Sequence, residues 1–413
     1  MVAFIKKSIK IDYPNKLKII FDKLDYFHIK PIIVGGYIRD KLLNFESKDI
    51  DVELYGCRSL DEVKNILVDF GKVNSVGKSF GVLKLSTPDL EIDFSLPRRE
   101  SKSAKGHRGF AVITEKSLDF TTAASRRDFT INAMGYDIKR EELLDPYGGR
   151  DDLKRSILKL VNRDKFTEDP LRVLRAVGFS ARFELQLDKE LITLCRSMVS
   201  DGALLELPQE RIYLEFEKFL LKSKHPSIAL ESLTLFGCES FFGKFLALRE
   251  LDYYAINKQE EKSSDLLILF SILYSKGDIQ KIERVISARQ LKQNIELFIH
   301  EKEAIDSNTL TNYQLFSLAR RVNLEQFFIF LDAIHLGKKR ELIERLKKRA
   351  EELHILHNEA KALIEGRDLI EQGLQPSPQF KKILEALYEA QMREEFKTKE
   401  QALEWLKKSS LLS

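Results

Sequence analysis

Apolar and polar positions change their period once along this chain. From residue 30 to about 150, short β-rich runs prevail: Ile32-Ile33-Val34, Ile50-Asp51-Val52-Glu53-Leu54, Val82-Leu83-Lys84-Leu85 and Leu90-Glu91-Ile92-Asp93-Phe94. Runs of this length and composition predict strands. Between them Leu60, Val63, Ile66, Leu67 and Phe70 recur at helical spacing and predict a helix over residues 59–70. This part reads as a mixed α/β domain. After the turn cluster Pro146-Tyr147-Gly148-Gly149 the strand signals fade, and amphipathic helical patterns run to the carboxy end. Breaks are expected at Asp306-Ser307-Asn308 and across Gly373 to Pro378, and no tandem repeat of fixed period is present.

At 413 residues the chain exceeds one comfortable core, so two to four domains are expected. A composition of 43% hydrophobic and 32% charged residues fits a folded, helix-leaning protein, not a disordered or collagen-like one. No uninterrupted 18-residue apolar span occurs, and Met1 to Lys10, with Lys6, Lys7 and Lys10 around one short apolar stretch, lacks the pattern of a secretory signal. The expected location is the cytoplasm, with no membrane association. Cys57, Cys195 and Cys238 are too few and too scattered for a disulfide frame or a zinc site and are read as reduced thiols. A net charge of +4 over 68 basic and 64 acidic residues neither demands nor excludes a nucleic-acid partner.

Four constellations carry chemistry. Gly35-Gly36-Tyr37-Ile38-Arg39-Asp40 follows an apolar strand and opens a helical stretch. Two glycines let backbone N–H groups approach an anion and Arg39 adds positive charge, which suits a triphosphate; ordinary turn geometry would leave the same trace. Asp49 and Asp51 lie two apart on a strand, so both carboxylates share a face, a costly arrangement unless cations sit between them. Mg²⁺ is the natural cation, although the polar face of an amphipathic strand would look alike. Asp93 adds a third strand carboxylate, which makes a two-metal phosphoryl-transfer site plausible. The other two are Arg126-Arg127-Asp128-Phe129-Thr130-Ile131-Asn132-Ala133 and Glu168-Asp169-Pro170-Leu171-Arg172-Val173-Leu174-Arg175. In the latter, Pro170 marks a helix start with Asp169 and Arg172 three apart, a spacing that would also serve a local ion pair on a capped helix.

Taken in order with Glu210-Arg211-x-x-x-Glu215, these motifs resemble those of the class II tRNA nucleotidyltransferases, the CCA-adding enzymes and bacterial poly(A) polymerases, over roughly residues 30–220. A weaker likeness lies in Gly366-Arg367-Asp368-Leu369 and Gly373-Leu374-Gln375-Pro376, where Ser377 replaces the family's usual Gly. The resemblance implies an α+β fold: a polymerase-β-like nucleotidyltransferase head with a mixed sheet (residues 1–150), then an all-helical neck (151–220), body (221–330) and tail (331–413). It implies metal binding by Asp49 and Asp51, with Asp93 as the third carboxylate of the catalytic set, and triphosphate binding by Gly35, Gly36 and Arg39. Arg127, Asp128 and Asn132 match the motif for ribose and phosphate, Asp169 and Arg172 the pair that reads the base, and Arg175 lies in the same nucleotide-binding motif. Arg211 and Glu215 match a helix-stabilising motif.

The implied activity is template-independent addition of C and A to the 3′ end of tRNA from CTP and ATP, with Mg²⁺ as cofactor and no protein partner. An A-adding enzyme, a poly(A) polymerase and a non-catalytic RNA-binding relative are the alternatives. The basic, Gly-containing stretch Arg98 to Phe110 reads as an exposed loop and resembles the loop that lets the family switch from CTP to ATP. Lys338, Lys339, Arg340, Lys347, Lys348 and Arg349 are interleaved with Glu341 and Glu344; they form a salt-laced helical face or a contact to the tRNA backbone. No His-Asp dipeptide occurs among the seven histidines, which argues against an appended phosphohydrolase domain. His354 and His357, placed three apart on a helix near Glu351, read as a solvent-facing cluster.

Overall fold

The β-rich runs pair into one seven-stranded sheet. In the computed structural model, which describes residues 10–47, 49–57, 59–76, 81–102, 110–113, 118–258, 265–305, 310–376, 378–409 and 411, β1 is Lys30–Val34, β2 Asp49–Tyr55, β3 Lys72–Val76, β4 Val82–Ser86 and β5 Glu91–Ser95. Arg99–Lys102 (β6) and Phe110–Ile113 (β7) form a separate antiparallel hairpin, and Gly135–Asp137 (β8) and Glu142–Leu144 (β9) complete the large sheet in the order β3-β4-β5-β2-β1-β8-β9. All its pairs are antiparallel except β2 with β5, so the sheet is mixed, as expected.

Alternation explains why β2 and β5 sit centrally. Ile50, Val52, Leu54, Ile92 and Phe94 are buried on one face, while Asp49 and Asp51 project from the other. Helices α1 (Asn15–Tyr26) and α3 (Leu60–Leu67) cover the apolar face; Leu17, Ile20, Phe21 and Leu24 of the first and Val63 and Leu67 of the second are buried. Each such side chain contributes about 1.5–3 kcal/mol of hydrophobic stabilisation.

The chain divides into two compact units, residues 1–219 with 228–241, and residues 220–227 with 242–413. The first contains the sheet and the helix Leu171–Phe183, whose Val173, Leu174, Ala176, Val177 and Ala181 are buried. In the second, the helix Asp265–Ser275 buries Ile268, Leu269, Phe270, Ile272, Leu273 and Tyr274 and packs on the helices Arg289–Glu301 and Leu324–Ile334. Phe298, Phe327 and Phe330 join there at ring separations of 5.3–6.0 Å. A further core forms around Ile364, Leu369, Ile383, Leu387, Phe396 and Leu406. Among the described residues no helix is long and apolar enough to cross a membrane.

Several expectations change. The helix set for residues 59–70 spans only Leu60–Leu67, because Ser59 is extended and Gly71 lies against the carbonyl of Ser86, where no Cβ would fit. The loop expected over Arg98 to Phe110 has paired flanks, β6 and β7, and residues 103–109 lie outside the described residues. Ile157–Leu158 and Gln186–Leu187 make a short parallel ladder beyond the point where strand signals fade. His354 and His357 do not share a helix: the helix Arg340–Glu352 ends before them, and His354 adopts a left-handed φ of 57°. Gly373, with φ 85°, ends its segment as expected. The breaks at 306–308 and residues 1–9 lie outside the described residues. All three cysteines are free and buried.

Candidate active site

The carboxylates occupy adjacent central strands. In the parallel pairing of β2 with β5, Asp51 stands opposite Asp93 and Asp49 opposite Glu91. Protein packed around Asp51 desolvates its carboxyl and raises its pKa; Arg127 opposes the rise, whereas Asp93 and Asp49 add to it through like charge. Asp93 Oδ1 is buried and accepts no hydrogen bond among the described residues. Crowded negative charge and an orphaned acceptor fit a divalent cation. Mg²⁺ takes one or two carboxylates and leaves positions for substrate phosphates; among the described residues no group of three or more His, Cys, Asp or Glu forms a ready metal cage.

Gly35 and Gly36 open helix α2 (Gly36–Leu42) at the end of β1. Gly35 has φ 74°, and a Cβ there would lie 2.7 Å from Arg127 Nη1, so only glycine lets that guanidinium settle over the turn. Arg127 Nε is buried and donates to nothing among the described residues. The structure gives Arg39 a different setting from the one expected of a residue aimed at phosphate. Its Nε and Nη2 donate to Asp40 and its Nη1 to Asn132 Oδ1, and its guanidinium lies 5.1 Å and 4.5 Å from the ring centroids of Phe179 and Phe183. Burial lowers its pKa, with Asp40 opposing.

Asp128 is the hub of the third motif. Its Oδ1 accepts from the Phe129 N–H and Asn132 Nδ2, and its Oδ2 accepts from Arg175 Nε at 2.7 Å. Complete burial would raise its pKa, but Arg175, the Asn132 hydrogen bond and Arg172 together hold it below the ordinary value. Arg175 is raised in turn by Asp128 and lies 5.2 Å from the Phe179 ring centroid. Asp128, Asn132, Arg39 and Arg175 thus form one network that ties the segment after Arg127 to the helix Leu171–Phe183.

Asp169 and Arg172 stand at the start of that helix. Asp169 Oδ1 accepts from the Leu171 N–H, and its Oδ2 lies 3.9 Å from Arg211 Nη2. Arg172 donates to the carbonyls of Lys165 (2.8 Å) and Arg126 (2.6 Å). Two of its five N–H donors are used in these bonds, which fix the plane of the guanidinium and leave three others.

Gly36, Arg39, Asp51, Arg127, Asp128, Asn132, Asp169, Arg172 and Arg175 all line one cleft of about 370 Å³, together with Arg126, Leu171, Phe179 and Arg211. Six arginines face three aspartates there, a surplus suited to a polyanion. Arg211, read from sequence as a helix stabiliser, lines the cleft. Sequence reasoning missed Glu53, which is 1% exposed and accepts from Arg126 Nη2 (3.0 Å), Arg127 Nη2 (3.1 Å) and Tyr55 Oη (2.8 Å). Burial alone would raise its pKa, yet Arg127 and Arg126 keep it below the usual range. The sequence did hold a signal: Glu53 continues the same-face series Asp49, Asp51.

The six basic residues considered for RNA lie in the second unit. Lys338 and Lys339 precede the helix Arg340–Glu352, which carries the other four. Arg340 donates to Asp332 and Tyr253, and Arg349 to the carbonyl of Leu310, whereas Lys338 and Lys348 are exposed.

Residues 32–159 match the Poly A polymerase head domain. The chain is 40% identical to the Multifunctional CCA protein of Aliivibrio salmonicida over 204 residues, 49% of this chain and 47% of that protein. It is 37% identical to the Multifunctional CCA protein of Chromobacterium violaceum over 192 residues, 46% of this chain and 45% of that protein. The chain thus spans about half the length of the curated relatives it matches. Among solved structures, the Bacillus stearothermophilus CCA-adding enzyme in complex with CTP aligns with a TM-score of 0.71 at 22% identity, covering 95% of this chain and 96% of that one. The Thermotoga maritima CCA-adding enzyme complexed with tRNA(CCA) aligns with a TM-score of 0.67 at 21% identity, covering 96% of each. At such identities the likeness shows the fold. Residues 32–159 thus resemble the Poly A polymerase head domain, and the chain as a whole has the fold of the solved CCA-adding enzymes.

Proposed function

We propose that this chain adds C and A, without a nucleic-acid template, to the 3′ end of tRNA, using CTP and ATP and releasing pyrophosphate. The observation that carries this reading is one cleft in which Asp51 of β2, a surplus of arginines, Asp169 and Arg172 converge; Asp49 and Asp93 do not line it but neighbour Asp51 on β2 and β5. Support also comes from relatives named Multifunctional CCA proteins. Asp49 and Asp51 would hold Mg²⁺, with Asp93 beside them. Bound there, the ion supplies Lewis-acid charge at the reacting phosphate and lowers the pKa of the attacking hydroxyl. Arg127, lying over Gly35, and the neighbouring arginines receive the triphosphate and the charge that develops on leaving pyrophosphate. One bond forms between the RNA 3′ oxygen and the α-phosphorus as the bond from that phosphorus to pyrophosphate breaks, with no covalent enzyme intermediate.

Base choice falls to Asp169 and Arg172. Cytosine and adenine each present an amino donor beside a ring-nitrogen acceptor, so a carboxylate accepts from the first while a guanidinium donates to the second. Uracil and guanine reverse the pattern. The test is incubation of tRNA lacking CCA, tRNA ending in C and tRNA ending in CC with CTP, ATP or both. Additions of three, two and one nucleotides are expected. Addition of A alone, or of a long A tract, would assign the alternative activities, and no addition would reject the reading.

A further inference from the structure

Glu53 joins the two halves of the cleft. It lies on β2 two residues beyond Asp51, and its Oε1 accepts from both Arg126 and Arg127. Tyr55 holds its other oxygen, Oε2, so the carboxylate cannot turn away from the arginines without losing that bond. The two arginines lead in different directions. Arg127 reaches the turn at Gly35, where its Nη1 occupies the space a Cβ would need. Arg126 is held by its side chain at Glu53 and offers its backbone carbonyl to Arg172 Nη2.

We propose that Glu53 is a positioning residue for nucleotide selection: by clamping Arg126 it sets the carbonyl that orients Arg172, and by clamping Arg127 it sets the guanidinium at the triphosphate turn. This rests on the reading of the cleft as a nucleotide site. Glu53 itself does not line the cleft and touches no substrate; it acts through the two arginines. A purely structural carboxylate would stabilise the fold equally but would leave the choice among nucleotides alone. The geometry makes discrimination and triphosphate affinity depend on one side chain, because both arms end on it. A guanidinium displaced by even 1 Å loses its match to a base edge, and misplacement of that size costs on the order of 100-fold.

The experiment measures equilibrium binding of CTP, ATP, UTP and GTP to the full chain, with nucleotide addition to tRNA and thermal stability recorded alongside. Glu53→Gln keeps the shape but weakens both clamps. It should weaken CTP and ATP binding about 10-fold or more and narrow their advantage over UTP and GTP by a similar factor, in protein that still melts cooperatively. Tyr55→Phe removes only the bond that fixes Oε2; it should shift both readouts the same way but less, and it serves if Glu53→Gln fails to fold. Arg126→Ala should also narrow discrimination, and the Glu53→Gln/Arg126→Ala double variant should lose less than the product of the two single losses, because the two residues form one arm. Lowered stability with unchanged affinity and discrimination in the folded variants would overturn the proposal, as would multiplicative losses in the double variant. Wild-type protein that prefers CTP and ATP but adds neither to tRNA would refute the substrate reading and leave the positioning role standing. Equal binding of all four nucleotides by wild type would overturn both.

Discussion

Asp49 and Asp51 illustrate how much one residue's chemistry depends on the residue two places away. Same-face carboxylates repel, and a metal ion with substrate phosphates relieves that repulsion, so either Asp49→Ala or Asp51→Ala should cut nucleotide addition roughly 100-fold or more, several kcal/mol at about 1.36 kcal/mol per decade. On the proposed function, affinity for tRNA should survive, since phosphate contacts elsewhere would supply it; full turnover in either variant would remove the proposed metal site. For base choice, Asp169→Ala and Arg172→Ala should each erode the preference for CTP and ATP, because every buried mismatch they relieve is worth about 1–3 kcal/mol. Incorporation of all four nucleotides by each variant measures this, and an unchanged preference in both would reduce the pair to helix capping. The carboxylates were legible in the sequence because alternation on a strand fixes which side chains share a face. Glu53 was not, because period two places it on the Asp51 face but says nothing of the depth at which Arg126 and Arg127 meet it, and those residues are 73 and 74 positions away.

At the scale of elements, the segment around Asp128 is fastened to the helix Leu171–Phe183 by a charge pair between the buried Asp128 and the half-buried Arg175. Removing Asp128 leaves the Arg175 charge unpaired but partly solvated and orphans the Phe129 N–H and Asn132 Nδ2, so Asp128→Ala should cost about 1–3 kcal/mol. The pH dependence follows from the lowered pKa of Asp128. Its contribution to stability is fully present above the aspartate's unfolded pKa and is lost as pH falls through the lower folded value, so Asp128→Asn should flatten the acid limb of the stability curve. Denaturant melts from neutral pH down to about pH 3, below the ordinary aspartate pKa near 3.9, would show it; parallel curves for wild type and variant would exclude the effect. The strands β1, β2, β4 and β5 were legible because their apolar runs carry the sheet's buried face. No comparable apolar run marks β3, β8 and β9. Lys72–Val76 pairs with its sequence neighbour β4 and β9 with its neighbour β8, while β8 also pairs with the distant β1, so pairing outweighs local propensity in these short or polar segments.

Over the whole molecule, a net charge of +4 drawn from 68 basic and 64 acidic residues gives too weak a general field to grip a polyanion, so any hold on tRNA must come from local clusters. The helix Arg340–Glu352 in the second unit divides its cations by what they already do. Arg340 is engaged by Asp332 and Tyr253, and Arg349 by the Leu310 carbonyl. Moving either to a phosphate would sacrifice an internal contact, whereas Lys338 and Lys348 present exposed side chains. If this surface meets the tRNA backbone, each phosphate neutralised releases counterions and adds about 0.9 to the slope of log affinity against log salt. Replacing Lys338 and Lys348 together by Gln should therefore weaken tRNA binding and flatten that slope by about 1 to 2. Arg340→Ala and Arg349→Ala should act chiefly on stability. Binding titrations at several salt concentrations separate the two cases: a slope unchanged in the double lysine variant would make the helix a solvated face whose cations serve only its own fold.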